Sequence, residues 1–467
     1  MKKKVFKWIG VIVLCVACFL AGHYQALAGA SEQDKEMRKF QKVYNILTND
    51  WYYADQVDNL EETLMENAIS GMSTLDKDEH TNYLSLEQTK LFSESLSGSQ
   101  VGLGVQFDQN ADGNLVIRHV YVNSAADQAG LQPGDIITQI NKKVVSSMDA
   151  DEIVSYIQSQ KKITIHYQRD GESQTVEVKP TNFDSTVALE LHDDYAYMII
   201  SSFSSQTGED VAEAMQRVKD AGIKKLVLDL RDNTGGYLSA AQDVGASLLP
   251  EGSVLFIEHY ADGSTKKQYV SSDYEQVKMD QIVILQNGET ASASEALIGA
   301  LKDQLGDTVT TVGTTTYGKG TEQAQEQFDD GTELKYTVAE WYTPKNKSIN
   351  KKGFKPDHKV KPLAVAAVKY KKFKKKDVIE PNTVKTNAKA LQTYLQYLGY
   401  PVDRTDSYFD QAGSEALKQF QTDHGLEATG TCDKKTWDAV VEAAKYKYND
   451  EGYAADPQYQ EAIQLTE

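Results

Sequence analysis

Three short segments hold residue types able to do covalent chemistry. In the first, Ile284-Leu285-Gln286-Asn287-Gly288-Glu289-Thr290-Ala291-Ser292-Ala293-Ser294-Glu295, a strand runs out near Asn287 and a helix begins about Ser292. Ser292 and Glu295 have the spacing of a capping box, which leaves Ser294 in the first helical turn with no capping task. Free amides and the positive helix end favour negative charge there, so a tetrahedral oxyanion formed by a serine nucleophile would meet donors already in place. The second segment, Tyr317-Gly318-Lys319-Gly320-Thr321-Glu322-Gln323, sets Lys319 between two glycines on a loop after a strand at 309–312. A lysine serves as a base only when neutral, which burial or a neighbouring dipole achieves by lowering its pKa. Taken alone, Gly-Lys-Gly reads better as a solvated turn. The third, Leu228-Asp229-Leu230-Arg231-Asp232-Asn233-Thr234-Gly235-Gly236-Tyr237, runs a buried strand into paired glycines. The amides of Gly235 and Gly236 could join the amide of Glu295 in an oxyanion hole; alone, the segment is a tight strand-to-helix turn. Arg231 reads as a buried structural pair and Asp232 as solvated surface. No His-Glu-x-x-His and no Gly-x-Ser-x-Gly occurs, the eight histidines are scattered, and nothing has zinc-ligand spacing. No metal or cofactor is called for.

The elements that must hold these segments follow from texture. The chain has 467 residues, enough for about three domains. Its formal charge of −19 opposes nucleic acid as a partner, and 40% hydrophobic with 25% charged residues is a globular balance. Lys2, Lys3, Lys4 and Lys7 precede an uncharged stretch from Trp8 to Ala30, with Ala26-Leu27-Ala28 as a cleavable small-x-small site. Residues 1–30 are therefore a signal peptide or an uncleaved membrane anchor. Cys15 and Cys18 fall inside this segment and Cys432 has no partner, so the exported part is held without an intrachain disulfide. Residues 31–97 have helical spacing, and 98–182 form a compact β-rich module. Residues 183–362 alternate apolar strands with helices, as in a parallel βα layer. A lysine-dense linker at 363–385 leads to a helical unit at 386–446. The acidic tail at 447–467 is expected to be poorly ordered.

The β-rich module carries Val101-Gly102-Leu103-Gly104-Val105 ahead of one strand and Gly130-Leu131-Gln132-Pro133-Gly134-Asp135 ahead of another. It resembles a PDZ domain. In that fold Gly102, Leu103, Gly104 and Val105 would turn backbone amides toward a peptide's terminal carboxylate while the peptide adds as an edge strand. Leu391, Leu395, Leu398, Phe420 and Trp437 fit the core of the C-terminal unit, which looks like a small all-α peptidoglycan-binding domain. The basic run 369–376 reads as a solvated, semi-extended linker.

In this order and behind a PDZ domain, the three segments resemble the carboxyl-terminal processing, or tail-specific, proteases over residues 40–362. The likeness extends to Ala68-Ile69-Ser70-Gly71-Met72 and Gly353-Phe354-Lys355-Pro356-Asp357. It implies a multidomain α+β chain with a crotonase/ClpP-like α/β protease core. Ser294 is then the nucleophile, Lys319 the base, and Gln323, one helical turn beyond the lysine, the side chain that holds the amine. Thr234 stands where the family commonly has proline. The partners implied are protein substrates with accessible C-terminal tails, peptidoglycan, and a membrane if the leader is uncleaved; a homo-oligomer stays open. The site of action is extracytoplasmic and wall-associated. A non-catalytic wall-bound PDZ adaptor is the alternative, disfavoured by Ser294, Lys319 and Gln323 occurring together. A wall hydrolase would rest on the C-terminal unit alone, which lacks the residues for it.

Overall fold

Strands buried on both faces need apolar side chains at successive positions, and the runs at 226–228 and 282–285 have them. In the computed structural model, which describes residues 32–467, they are central strands of a six-stranded sheet. Its order is Val187–Leu191, Ala196–Ile200, Lys225–Asp229, Gln281–Gln286, Val309–Gly313 and His358–Lys359. The first pair is antiparallel and the rest are parallel. Alternation along each strand sends Met198, Leu226, Leu228, Ile282 and Ile284 to one face, against helices Thr207–Asp220, Leu238–Leu248 and Ala293–Leu305. Tyr197, Val227, Val283, Leu285 and Val312 go to the other.

What covers that second face corrects the expectation of a poorly ordered tail. Helix Pro457–Thr466 lies on it, with Tyr459 and Ala462 buried and Ile463 and Leu465 packed beside them. The helix starts cleanly: Asp456 caps it by accepting from the amides of Gln458 and Tyr459, and Pro457 occupies the first turn. Gln458 donates to the Val360 carbonyl (2.8 Å), Gln281 donates to the Leu465 carbonyl (2.9 Å), and the Lys225 ammonium donates to the Thr466 carbonyl. The acidic, glutamine-rich composition conceals apolar positions three and four apart that a bare sheet face requires.

The PDZ-like module is a six-stranded antiparallel sheet whose five-strand path starts at edge strand Val105–Gln109 and ends at Glu172–Val178. Its core holds Leu115, Ile117, Ile137, Ile165 and, from helix Ala150–Gln158, Ile153 and Ile157. The chain enters and leaves it side by side, through paired strands Ser99–Gly102 and Thr181–Asp184.

In the C-terminal unit, helices Ala388–Leu398, Gln411–Asp423 and Lys434–Glu451 enclose Leu391, Leu395, Phe420 and Trp437. A two-residue strand pair, Thr383–Val384 with Tyr408–Phe409, adds a small β element to a unit read as wholly helical. Cys432 is buried there as a free thiol. The basic run is not a free linker. Phe373 stacks on Trp437 (4.8 Å between ring centroids), Tyr370 meets Trp437 edge-on, and Asn387 brackets the Lys371 backbone.

By contacts the chain divides into two units, one of residues up to 87 with 325–336 and one of 88–324 with 337–467. In the first, helices Glu32–Asn49 and Leu60–Ser73 precede strand Asn82–Leu84, which pairs antiparallel with residues 333–335. The second holds everything else described above. The segment read as a signal or anchor, with Cys15, Cys18 and Ala26-Leu27-Ala28, lies outside the described residues. Among those described, no helix is long and apolar enough to cross a membrane.

Replacing the buried Ala462 by aspartate sets a lone charge against the second face of the sheet. Ala462→Asp is expected to cost at least about 3 kcal/mol in urea unfolding. Glu461→Ala, which removes only the partly exposed contact to His358, should cost less than about 1 kcal/mol.

Candidate active site

Ser294 is the second residue of helix Ala293–Leu305 and is fully buried. Its Oγ donates to the Asn233 carbonyl at 3.1 Å, and the same carbonyl accepts the Ala291 amide at 3.0 Å. Asn233 is itself fixed: its Nδ2 donates to the Ile200 carbonyl (2.7 Å), and its Oδ1 accepts the Gly235 amide (2.8 Å). The turn carrying Asn233 therefore reaches the nucleophile candidate through its backbone.

Two glycines allow this approach. Gly235 has φ +102°, and a Cβ there would stand 2.8 Å from the Ser292 Cβ; Gly236 has φ +141°, and a Cβ there would stand 2.2 Å from the Phe203 carbonyl oxygen. Ser292 takes a positive φ of 57° just ahead of the helix, a conformation costly for a residue with a side chain. Of the amides expected to form an oxyanion hole, that of Gly235 is engaged by the Asn233 side chain. The Gly236 amide donates to no acceptor among the described residues. The sequence reading is corrected at Gly235: its hydrogen stabilises the turn.

Glu295, read as half of a capping box, does more than cap. Its carboxylate is wholly buried and accepts four bonds. Oε2 takes the amides of Ser292 (3.0 Å) and Lys319 (2.9 Å), and Oε1 takes the Gly318 amide (2.7 Å) and the Thr316 hydroxyl (2.6 Å). Burial pushes its pKa above the ordinary carboxylate value, and the four donors hold that rise in check. The helix whose first turn carries Ser294 and the loop that carries Lys319 are thereby joined by one side chain. That loop is pinned at other points too. The Gly318 carbonyl accepts from the Lys351 amide (2.7 Å), the Gly320 carbonyl from the Trp341 amide (3.0 Å), and the Phe354 amide donates to Thr316 Oγ1 (2.7 Å). Lys319 is half-buried, and its loop is not the solvated turn that Gly-Lys-Gly suggests in isolation.

Gln323 lies on strand Thr321–Gln327, not one helical turn past the lysine. Its Nε2 donates to the hydroxyls of Thr321 (3.0 Å) and Thr337 (3.2 Å). With the amide nitrogen so committed, the side-chain oxygen is oriented away from it as an acceptor. The neighbouring Glu322 carries no motif in the sequence that marks it. Burial together with the charge of the buried Glu258 pushes its pKa up to about 7. Glu258 also accepts from the Tyr260 hydroxyl (2.7 Å) and Gln268 Nε2 (2.6 Å). Arg231, read as a structural pair, is one: it forks onto Asp229 through Nε and Nη2. Asp232 is exposed and exchanges two hydrogen bonds with the Asn287 side chain.

In the PDZ-like module Gly102, Leu103 and Gly104 are buried and Val105 is half-buried. Gly104 has φ +79°, and a Cβ there would fall 2.0 Å from the Ser124 Cβ. The Leu103 and Gly104 carbonyls accept from Ala126 and Tyr121, while their amides have no acceptor among the described residues. Strand Val105–Gln109 pairs on one side only, with Leu115–Val120. Arg217 of the core grips Asp127 of the module with two bonds (2.8 and 2.9 Å), and Asp210 accepts from Asn123 (2.9 Å). Among the described residues no three His, Cys, Asp or Glu side chains converge as metal ligands.

Comparison with known proteins returns three family models: peptidase family S41 over residues 194–360, a PDZ domain over 116–169 and a peptidoglycan binding domain over 385–440. A "Probable CtpA-like serine protease" of Staphylococcus epidermidis is 31% identical over 449 residues, and one of Staphylococcus aureus is 32% identical over 458. Each alignment covers 94% of this chain and 88% of the relative. Among solved structures, the photosystem II D1 C-terminal processing protease is 23% identical with a TM-score of 0.40, over 69% of this chain and 92% of that one.

Glu295→Gln turns an NH2 group toward backbone donors that need an acceptor; it is expected to lower stability by about 2 kcal/mol or more in urea unfolding. Glu322 has a folded pKa above its ordinary 4.5, so the folded state holds its proton more tightly. That stabilisation is complete below about pH 4.5 and is lost as pH rises toward 7. Glu322→Gln should flatten the fall in unfolding free energy across this window, measured by denaturant titration at each pH.

Proposed function

Since this chain belongs to the S41 family of serine peptidases, we propose that Ser294 is its nucleophile, Lys319 its general base and Gln323 the residue that orients the base. The observation that carries this reading is the Glu295 carboxylate, which ties the backbone of Lys319 to the helical turn containing Ser294. In the resting site the single hydroxyl hydrogen of Ser294 is directed to the Asn233 carbonyl. Rotation about Cα–Cβ presents it to a neutral Lys319 amine, which removes the proton as Oγ adds to the scissile carbonyl. The Gly236 amide and the amide of Glu295, which follows the nucleophile, receive the negative oxygen; Gly235 supports them by keeping the turn closed. The protonated lysine then gives its proton to the departing amine, and water, deprotonated by the same lysine, hydrolyses the acyl-enzyme. The Gln323 side-chain oxygen accepts from the amine throughout, with its nitrogen held by two threonines.

Substrates are proteins with an accessible C-terminal tail. The tail carboxylate docks on the amides of Leu103 and Gly104, with Gly102 and Val105 framing the loop, and the peptide extends the open edge of Val105–Gln109. The Asp127–Arg217 pair sits where the module meets the core, a place from which tail binding can be felt by the peptidase. Residues 1–30 export the chain as a signal or retain it as an anchor, and the C-terminal unit holds it on peptidoglycan, so the enzyme works on exported proteins at the wall. A non-catalytic adaptor is disfavoured by relatedness to serine proteases along nearly the whole chain.

Purified Ser294→Ala and Lys319→Ala proteins, given an unstructured protein with a free C-terminus, should each lose on the order of 10⁶-fold in turnover, the scale for interdependent catalytic groups. Amidating the substrate's C-terminus should raise KM with little change in kcat. Cleavage by either variant at the native rate would remove the dyad assignment.

A further inference from the structure

The turn from Asp229 to Gly236 is held from two directions. On one side the Asp229 carboxylate accepts the Arg231 amide (2.9 Å), its Nε and Nη2, and the Tyr197 hydroxyl (2.7 Å). On the other, Arg231 Nη1 donates to the carboxylate of Asp456 and to Gln458 Oε1 (3.2 Å). These two acceptors belong to the first turn of the closing helix, 225 and 227 residues further along the chain. The guanidinium is largely buried, with 17% of its side chain exposed, and the Asp229 and Asp456 side chains are 7% and 14% exposed. A buried arginine keeps its place only while its donors are matched. Here the fork goes to Asp229 and the remaining nitrogen goes to the helix cap.

We propose that Asp456 is a positioning residue for the oxyanion turn, acting through Arg231 on Asn233 and Gly236. The inference rests on the Ser294–Lys319 reading of the site. Arg231 stands two residues before Asn233, whose carbonyl holds the Ser294 hydroxyl, with only Asp232, at φ +60°, between them. A shift of the guanidinium therefore moves the acceptor of the serine proton and the Gly236 amide together. The closing helix does not depend on this pair for its own attachment: Tyr459 and Ala462 are buried on the sheet, and Gln458, Gln281 and Lys225 tether it separately. The contact serves the turn more than the helix. It follows that the peptidase is completed by residues beyond the peptidoglycan-binding-like unit, which is inserted between strand His358–Lys359 and the closing helix.

Serine caps a helix nearly as well as aspartate but is too short to reach Arg231, so Asp456→Ser separates the two roles. In the full-length enzyme it should lower kcat about tenfold, a modest share of what misplacement of a reacting group costs, with KM within twofold and, because a buried guanidinium loses a charged partner, a lowered thermal midpoint. Asp456→Asn, which keeps an oxygen in place, should recover most of kcat. In a Ser294→Ala background, where no turnover is needed, Asp456→Ser should speed hydrogen exchange of the amides at 232–236 while leaving the closing helix protected. Unchanged exchange in the turn would overturn the proposal, as would a loss of protection across the closing helix as well. Altered exchange in a chain whose Ser294→Ala variant still cleaves would sink the dyad reading and leave the coupling standing.

Discussion

A carboxylate removed from water costs several kcal/mol unless its lone pairs are met, and the burial of Glu295 makes this cost the organising constraint of the site. Four donors meet it, and they come from two segments separated by more than twenty residues: Ser292 on one side, and Thr316, Gly318 and Lys319 on the other. Two of them are successive amides, Gly318 and Lys319, that converge on one group because Gly318 takes φ +92°; a side chain there would meet the Gly353 and Lys352 amide nitrogens at 2.7 and 2.8 Å. The dependence is mutual. Without Glu295 the loop amides are buried donors without acceptors, and without the loop Glu295 is a buried charge without donors. The position of the Lys319 backbone is thus a condition of folding.

The third segment is locked by shape more than by charge. Gly235 lies so close to Ala291 and Ser292 that no Cβ fits, and Ser292 accepts a positive φ to let the helix start there. Asn233 spends both ends of its side chain on backbone, leaving its carbonyl to receive Ser294 and Ala291. Strain at Ser292 persists because the surrounding bonds over-determine it. The sheet beneath supplies rigidity, since it is packed on both faces and each of the three segments leaves the carboxyl end of one of its strands.

Local signals in the sequence were reliable where the structure is determined locally. Strand Lys225–Asp229, its glycine turn and helix Ala293–Leu305 are visible as apolar runs punctuated by glycine and a cap. The failures share a cause. Thr321 to Gln327 is a polar run with no hydrophobic period, and it is a strand because it pairs with Glu333–Tyr342; the i, i+4 spacing of Lys319 and Gln323 is therefore not a helical turn. Tyr370 and Phe373 were hidden among lysines, and Tyr459 and Ala462 among glutamines and acids, although in both places aromatic or small apolar residues mark the buried side. Only the location of the partner surface, the second sheet face or Trp437, turns those residues into anchors.

The resting hydrogen bond of Ser294 bears on how such a site is switched on. Its hydroxyl has one hydrogen, and exchanging a backbone carbonyl for an amine as its acceptor trades two bonds each worth about 1 kcal/mol net. Side-chain rotation between staggered wells is fast compared with turnover, so this exchange is no barrier by itself. What sets its balance is the exact placement of the Asn233 carbonyl, because a few tenths of an ångström weaken a hydrogen bond already at 3.1 Å. The bonds that fix Asn233 come from Ile200 and Gly235, and its neighbour Arg231 is bonded in turn by a helix that follows the C-terminal unit in the chain. The Ser294 hydroxyl thus rests on the same turn whose Arg231 is bonded by the cap of helix Pro457–Thr466.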